Sequence, residues 1–208
     1  MIASVLRLSR ADCKALRITD PYSIHRVVCD LFEDIRSEED KQAGKPSGIL
    51  YADKGGDFQL RQILVLSDRE PRTPAHGELQ SKTIPPDFLQ HDCYGFEVIV
   101  NPTRRDNASR KLMPVRGRDE VADWFMERAE KSWGFRADPE KLQVQHLGVQ
   151  RFEKSGQILT HGSATLKGVL AVTHRERFER SFRQGIGRGR AFGFGLLQIV
   201  PLANPFDI

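Results

Sequence analysis

Apolar and polar positions near the start of the chain predict a strand followed by a helix. Residues 1–9 carry apolar side chains among small and polar ones, a composition typical of a strand. Asp20 suits a helix N-cap, and Pro21 suits the first helical position. The apolar residues that follow recur with the 3.6-residue period of a helix. We therefore predict a helix over residues 21–37.

The next segment of the chain is dominated by strand-like patterns. Residues 47–53 and 58–67 have the composition of two strands joined by a glycine-containing turn at residues 54–56. The proline-rich residues 70–86 break regular structure. Residues 94–101 alternate between apolar and polar side chains, as a half-buried strand does. The first half therefore has the order βαββ followed by a further strand, and its second helix is poorly defined.

The second half of the chain shows a similar order with clearer helices. Its predicted elements are a helix over 119–131, strands over 142–153 and 157–172, a helix opened by a capping box of Thr173 and Glu176, and a closing strand in LLQIVPL. Each half approximates a βαββαβ unit. We therefore predict an α+β protein with two tandem ferredoxin-like (RRM-like) lobes, residues 1–97 and 98–208.

Chain length bounds the number of domains, and the distribution of charge indicates a class of partner. The 208 residues fit one large domain or two small ones, and the net charge is +4. Positive charge is concentrated in residues 104–118 and 175–190, which favours a polyanionic partner. A solvated charged face explains the same two clusters equally well.

Several classes of protein and site are disfavoured by the sequence. No stretch reaches the ~18 apolar residues that a membrane span needs, and Arg7 and Arg10 interrupt the apolar start too early for a secretory signal. We therefore expect a cytoplasmic protein without membrane contact. The three cysteines and six histidines show no zinc-type spacing, so we expect no metal, no cofactor and no disulfide framework.

A glycine-rich segment near the C-terminus is the most distinctive local pattern. A helix is predicted before it and a strand after it, which is the reverse of a dinucleotide-binding fingerprint, and it contains no P-loop motif. Closely spaced glycines let backbone N–H groups approach a phosphate. A compact turn into the last strand is the alternative interpretation. The residues that would hold a nucleic-acid backbone are Gly185, Gly187, Arg188, Gly189 and Arg190.

Three separated segments share one resemblance. They are the glycine-rich run GIGRGRAFGFGLL at 185–197, the segment DPYSIHRVVCDL at 20–31, and VIVNPTR at 98–104. In this order, they resemble motifs of the CasE branch of the type I-E CRISPR repeat-RNA-processing endoribonucleases. The glycine-rich run departs from the family pattern in that Arg190 stands where a lysine is usual, which keeps the charge but changes the contact geometry.

The resemblance implies a specific activity and specific partners. It implies metal-independent cleavage of CRISPR precursor RNA at the base of the repeat stem-loop, by attack of a ribose 2′-OH that leaves a 2′,3′-cyclic phosphate. It also implies that the protein stays bound to the mature crRNA as a subunit of Cascade, the type I-E surveillance complex. A non-catalytic RNA-binding subunit of the same fold is the alternative, and a small nucleotide-utilising enzyme is disfavoured by the order of elements around the glycines.

His25 and Tyr22 are the catalytic candidates. Imidazole titrates near pH 6.5, so His25 can act as acid or base at neutral pH, and the sequence leaves that choice open. Tyr22 lies three residues earlier on the same helical side and could orient the nucleophile or donate to the phosphate. A lone helical histidine is more often an ordinary surface residue, and the resemblance of the Y-x-x-H pattern favours the catalytic role.

The remaining basic residues are candidates for RNA contact. Arg26 adjoins His25, and the others lie after the second-lobe boundary or on the 142–172 hairpin, which in the resembled family enters the base of the RNA stem. RNA hairpins are recognised largely through shape and backbone. The candidates are Arg26, Arg104, Arg105, Arg110, Lys111, Arg151 and Lys154.

Overall fold

The computed structural model describes residues 1–56, 59–154 and 156–203. Within them, the strands are β1 (Ile2–Ser9), β2 (Ile49–Gly56), β3 (Leu60–Ser67), β4 (Glu78–Thr83), β5 (Cys93–Val100), β6 (Thr103–Arg105), β7 (Leu112–Pro114), β8 (Phe135–Ala137), β9 (Gln143–Lys154), β10 (Gln157–Val172) and β11 (Gln198–Pro201). The α-helices are α1 (Arg10–Ala15), α2 (Pro21–Asp30), α3 (Glu38–Gln42), α4 (Arg118–Arg128) and α5 (Arg175–Gln184). A π-helical turn (Ala129–Trp133) extends α4, and a 3₁₀ turn (Arg190–Phe192) lies between α5 and β11.

Two antiparallel sheets form the framework. The first has the strand order β2-β3-β1-β4, and the second has the order β11-β5-β10-β8, with β9 paired to β10. With β9 left out and the remaining strands of each sheet numbered in chain order, both sheets read 4-1-3-2, in keeping with two βαββαβ units. The predicted α+β fold with two ferredoxin-like lobes is confirmed.

The two halves differ from ideal units in opposite ways. The first lacks a second helix, because residues 68–77 connect β3 to β4 without one. The second gains a long hairpin, because β9 and β10 extend well beyond the sheet. The sequence places the division between lobes at residue 97, which falls inside β5. A division that keeps both sheets whole would begin the second lobe at Cys93, and we propose that boundary.

Alternating side chains give the first sheet two buried faces. Leu6 and Leu8 point to one side, where α2 covers them with Ile24 and Val28. Leu50, Ala52 and Leu66 belong instead to the larger cluster that α4, α5 and the second sheet form. Because successive strand residues face opposite sides, the first sheet lies between α2 and the second lobe. At the side of this stack, α2 contacts β9 and the 3₁₀ turn of Arg190–Phe192.

The predicted helix over 21–37 is too long. It begins as expected, with Asp20 as N-cap and Pro21 in its first turn, but ends at Asp30. The carbonyl of Leu31 accepts a hydrogen bond from the Arg72 backbone at 2.7 Å, so tertiary contacts replace the next helical turn. Ile35, which continues the apolar period, is 66% exposed.

The proline-rich stretch is also more ordered than predicted, because it contains β4. That strand pairs with β1 from Ile2↔Thr83 to Arg7↔Glu78. A polar strand at a sheet edge carries little apolar periodicity, so residues 70–86 gave no strand signal. Sequence analysis likewise missed α1, whose capping box joins Ser9 to Asp12.

The predicted capping box at Thr173 is wrong by one residue. The N-cap of α5 is His174, whose Nδ1 accepts from the Arg177 backbone N–H at 3.4 Å. The backbone N–H groups of Thr173 and His174 both donate to the Gly134 carbonyl at 3.0 Å. These two bonds hold Thr173 in the connection that precedes the helix.

Candidate functional site

Local structure at the start of α2 fixes the position of His25. The Asp20 carboxylate accepts the Ser23 backbone N–H at 2.7 Å, and the Ser23 hydroxyl accepts the Asp20 N–H in return. Ile24 and Val28 are buried against the first sheet. His25 therefore lies at the margin of the buried face, half-buried, with the ring of Tyr22 6.1 Å away.

The glycine-rich loop, residues 185–195, packs against this helix. The Phe192 ring lies 6.1 Å from the His25 ring and 4.6 Å from the Phe152 ring of β9. The buried Tyr51 ring lies 6.4 Å from His25, and its hydroxyl donates to the Ala191 carbonyl at 3.0 Å. Segments about 165 residues apart in the sequence thus meet at one place, and two of the three motifs of the resemblance share a site.

A cleft of about 290 Å³ opens beside His25. Arg190 of the glycine-rich loop lines it, with its guanidinium donating to the Gln184 carbonyl at 2.7 Å. Arg36 and Lys45 line the same cleft. Sequence analysis missed these two cations, because Arg36 lies inside an acidic run, residues 33–40, and Lys45 lies in the segment that follows it.

Two neutral groups, Tyr51 and Cys29, line this cleft beside its cations. Burial raises the pKa of the Tyr51 phenol and of the Cys29 thiol, so both are neutral at physiological pH. The Cys29 Sγ lies 3.7 Å from both ring nitrogens of His25. Arg36 holds the pKa of the Asp34 carboxyl at about 2, so that pair stays ionised, and Lys45 pairs with Asp40 at 2.5 Å.

The shape of the glycine-rich loop depends on its glycines. Gly195 has φ +83°, and its carbonyl accepts the Ile186 N–H at 2.9 Å, so an added Cβ would overlap the Ile186 backbone. The Gly189 φ is +79°, and its Cβ would meet the Phe194 ring. In the described part of the chain, the N–H groups of Gly187, Arg188 and Gly189 have no protein acceptor. Such a run of free donors can hold an anion.

A second basic groove continues on the other side of this loop. Gly187 and Arg188 line about 280 Å³ of space together with Arg105 and Arg128. The structure thus brings together two residues that the sequence predicted separately as RNA contacts, Arg105 and Arg188. It adds Arg128, which is exposed rather than on the buried side of α4.

The other predicted contacts lie further out. Arg110 and Lys111 are exposed where β6 turns into β7, and Arg104 pairs with Glu127 at 3.7 Å. Arg26 is exposed on α2, one residue after His25. Arg151 lies on the opposite face of β9 from Phe152, which is buried towards the loop. The side chain of Lys154 lies outside the described part of the structure.

No helix among the described residues is long and apolar enough to span a membrane.

A family model described as "CRISPR associated protein" matches residues 1–201. The CRISPR-associated endoribonuclease Cse3 of Thermus thermophilus is 32% identical over 199 residues, which cover 88% of this chain and 92% of that protein.

Solved structures show the same fold. A structure titled as CRISPR endoribonuclease Cse3 bound to 19 nt RNA matches with a TM-score of 0.79 at 23% identity, covering 97% of this chain and all of the other. A chain of a CRISPR RNA-guided surveillance complex matches with a TM-score of 0.72 at 17% identity, over 97% and 100% of the two chains. The match over residues 1–201 and the identity to Cse3 show that this chain belongs to the CRISPR-associated protein family that includes Cse3.

Proposed function

We propose that this protein is a metal-independent endoribonuclease that cleaves CRISPR precursor RNA at the base of the repeat stem-loop. The observation that carries the proposal is the meeting of His25 and Arg190 in one cleft. They belong to two motifs at opposite ends of the sequence. A titratable imidazole beside a guanidinium supplies proton transfer and charge stabilisation at a phosphate.

The proposed reaction uses the RNA's own nucleophile. The 2′-oxygen bonds to the adjacent phosphorus, the bond from phosphorus to the 5′-oxygen breaks, and the 2′-proton leaves as the 5′-oxygen gains one. The products are a 2′,3′-cyclic phosphate and a 5′-hydroxyl. His25 is the proton-transfer group, and Tyr22, 6.1 Å from it between rings, orients the 2′-OH or donates to the phosphate. Arg190 stabilises charge on the phosphate oxygens.

The rest of the basic surface would hold the RNA before and after cleavage. The free N–H groups of residues 187–189 form an anion-binding concavity, and Arg105, Arg128 and Arg188 surround the adjoining groove. A relative in this family is named an endoribonuclease, and chains of the same fold are solved with RNA and in a surveillance complex. We propose that this chain likewise remains on its product as a subunit of such a complex.

The test replaces the imidazole and keeps the RNA surface. His25→Ala is compared with wild type and with His76→Ala, an exposed histidine that does not line the cleft. The substrate is a labelled stem-loop repeat RNA in EDTA. We expect His25→Ala to slow cleavage by roughly 10²–10⁴-fold, while its affinity changes by less than about 1 kcal/mol and His76→Ala behaves as wild type.

A parallel RNA with a single 2′-deoxy nucleotide before the cut separates the chemistry from binding. We expect the wild-type protein to bind this RNA and leave it intact. Near-normal cleavage by His25→Ala would reject the role of His25, and cleavage of the deoxy RNA would reject the 2′-OH mechanism. Tight binding by wild type without cleavage of either RNA would instead identify a non-catalytic RNA-binding subunit.

A further inference from the structure

A cavity of about 630 Å³ lies across the glycine-rich loop from the His25 cleft. Its walls come from the β9–β10 hairpin, from the β6–β7 hairpin and from the loop itself, which contributes Arg188 and Gly189. None of the residues that line it was a catalytic candidate. The cavity is larger than the cleft beside His25 and faces the same RNA-binding surface that we propose.

Two residues of this cavity, Asn101 and His161, have a buried polar atom without a hydrogen-bond partner among the described residues, and Asn101 is the one with an amide. It is 8% exposed, and its Oδ1 is buried without a hydrogen-bond partner among the described residues. A buried acceptor left unpaired costs free energy. Gly162 lines the same cavity, and a Cβ added at Gly162 would lie 3.9 Å from Oδ1, so the amide lies beside the glycine part of the cavity wall. A hydrogen-bond donor that enters the cavity at this point would satisfy the Asn101 oxygen.

The chemistry of the lining selects the kind of ligand. Apolar side chains form much of the wall, and Arg116 and Arg188 supply positive charge at its edge. A carboxamide pairs with a flat edge that presents a donor beside an acceptor, and such edges belong to nucleobases. In an A-form stem the Watson–Crick edges are already paired and the major groove is too narrow for a side chain to read, so an unpaired base is the one that offers such an edge.

The cavity is also close to the site of cleavage. Arg188 and Gly189 line it, while Arg190 and Ala191 line the His25 cleft. Consecutive Cα atoms are about 3.8 Å apart, so the Cα atoms of Arg188 and Arg190 are at most about 7.6 Å apart. An RNA strand that crosses the loop at the scissile phosphate therefore passes directly from one space to the other.

We infer that this cavity binds an unpaired nucleobase next to the cleavage site, with an edge donor of the base bonded to Asn101 Oδ1. The inference rests on the proposed RNA-processing function and adds a base-reading subsite to it. Asn101 is then a specificity residue, distinct from the proton-transfer group. Its Oδ1 gives up no bond within the described protein when it is removed, so its replacement affects RNA recognition more than folding.

The experiment combines protein and RNA changes. Wild type, Asn101→Ala and Asn107→Ala, an exposed control on the β6–β7 connection, are titrated with uncleavable 2′-deoxy repeat RNAs. Each RNA carries one abasic site at a different unpaired nucleotide beside the stem, and thermal melts check that the variants are folded. We expect Asn101→Ala to bind the intact RNA about tenfold more weakly than wild type, the size of one missing hydrogen bond.

The test of the inference is whether the effects of Asn101→Ala and of an abasic site on RNA affinity are additive. At one position, the abasic site should weaken binding by wild type more than binding by Asn101→Ala, because both changes remove the same hydrogen bond. Additive effects at every position, or unchanged affinity of Asn101→Ala, would overturn the base-binding inference and leave the proposed function standing. If wild type binds none of the RNAs, the proposed function fails, and the inference fails with it.

Discussion

Two basic regions were predicted from the same kind of sequence signal, but the structure holds them very differently. The glycine-rich loop is anchored: Phe194 is fully buried, Tyr51 donates to its backbone, and Phe192 lies between aromatic rings of both lobes. The β6–β7 hairpin, residues 103–114, projects from the second lobe. It lines the two spaces beside the loop, yet its side chains Leu112 and Met113 are 44% and 53% exposed.

The difference separates two uses of positive charge. In the loop, close packing fixes the place of Arg188 and Arg190 relative to His25, as a reaction at one phosphate requires. On the hairpin, the exposed arginines and lysine can supply attraction to a polyanion without a fixed geometry. Changes in the loop should therefore damage cleavage and folding, whereas changes in the hairpin should alter affinity and its dependence on salt.

The largest expected effect contrasts two glycines of the same loop. Gly195→Ala places a methyl group against the Ile186 backbone at φ +83°. Strain of about 1–3 kcal/mol, together with the steric overlap, should lower the free energy of unfolding and displace the loop. Gly187→Ala has φ +71° but open space within 4 Å, so we expect about 1 kcal/mol. Thermal melts and single-turnover cleavage measure both.

This pair also tests whether the loop must be held in place for cleavage. At saturating RNA we expect Gly195→Ala to lose most cleavage activity. Gly187→Ala keeps the backbone N–H and meets no atom within 4 Å, so we expect it to keep most of its activity. Equal activities would show that cleavage does not depend on the anchored geometry of the loop. The loop and the hairpin would then not differ in how they support the reaction.

The sequence predicted those parts of the site whose signals are local. Asp20, Pro21 and the apolar period place His25 on a helix margin, and closely spaced glycines mark the loop, because capping and positive φ depend on neighbouring residues. Arg36, Lys45 and Asn101 escaped prediction as site residues. Their roles depend on where distant segments meet. Arg36 and Lys45 resemble solvated residues, and Asn101 lies in the segment 98–104 without any local sign that its amide is buried.

Dependence on distant segments also explains the errors in the elements predicted from the sequence. The apolar period continues to Ile35, yet the helix ends at Asp30 because the Leu31 carbonyl bonds to Arg72. The edge strand β4 is polar in sequence and exists because β1 offers it a ladder of partners. In both places a long-range backbone interaction overrides the local pattern.

The next effect concerns the hairpin and is smaller. Replacing Arg105, Arg110 and Lys111 by Gln removes three charges from one exposed region. Removing one phosphate-binding charge reduces the slope of log affinity against log salt by about 0.7–0.9, so we expect the slope to fall by about 2. At saturating RNA the cleavage rate should remain near that of wild type, because the His25 cleft is untouched.

A control triple variant replaces exposed basic residues elsewhere, namely Lys14, Lys82 and Arg136, by Gln. It has the same change in net charge, so it shows how much of the effect is general. If both triple variants reduce the salt slope equally, the hairpin has no specific interaction with RNA. If the hairpin variant no longer cleaves at saturating RNA, the hairpin also takes part in positioning.

The smallest expected effect depends on pH and again distinguishes the two regions. His161 lies behind the loop, with its ring 5.3 Å from that of Phe192 and 5.6 Å from that of Phe152. Burial lowers its pKa below the ordinary value of 6.5. As the pH falls below about 6.5, the unfolded chain gains a proton at His161 that the folded protein resists. The free energy of unfolding should therefore decrease with acidification through that range.

Replacing His161 by Phe should remove this part of the pH dependence, because a ring of similar shape then fills the site without titrating. Replacing the exposed His146 on β9 by Phe is the matched control and should leave the dependence as it is in wild type. Urea unfolding between pH 5 and 7.5 measures the three curves. If the free energies of unfolding of wild type and His161→Phe change in parallel with pH, the site behind the loop does not disfavour a charged imidazole. If only His161→Phe shows a weaker pH dependence of the free energy of unfolding, the loss of stability in acid originates behind the anchored loop. The salt dependence of RNA affinity, in contrast, originates in the hairpin.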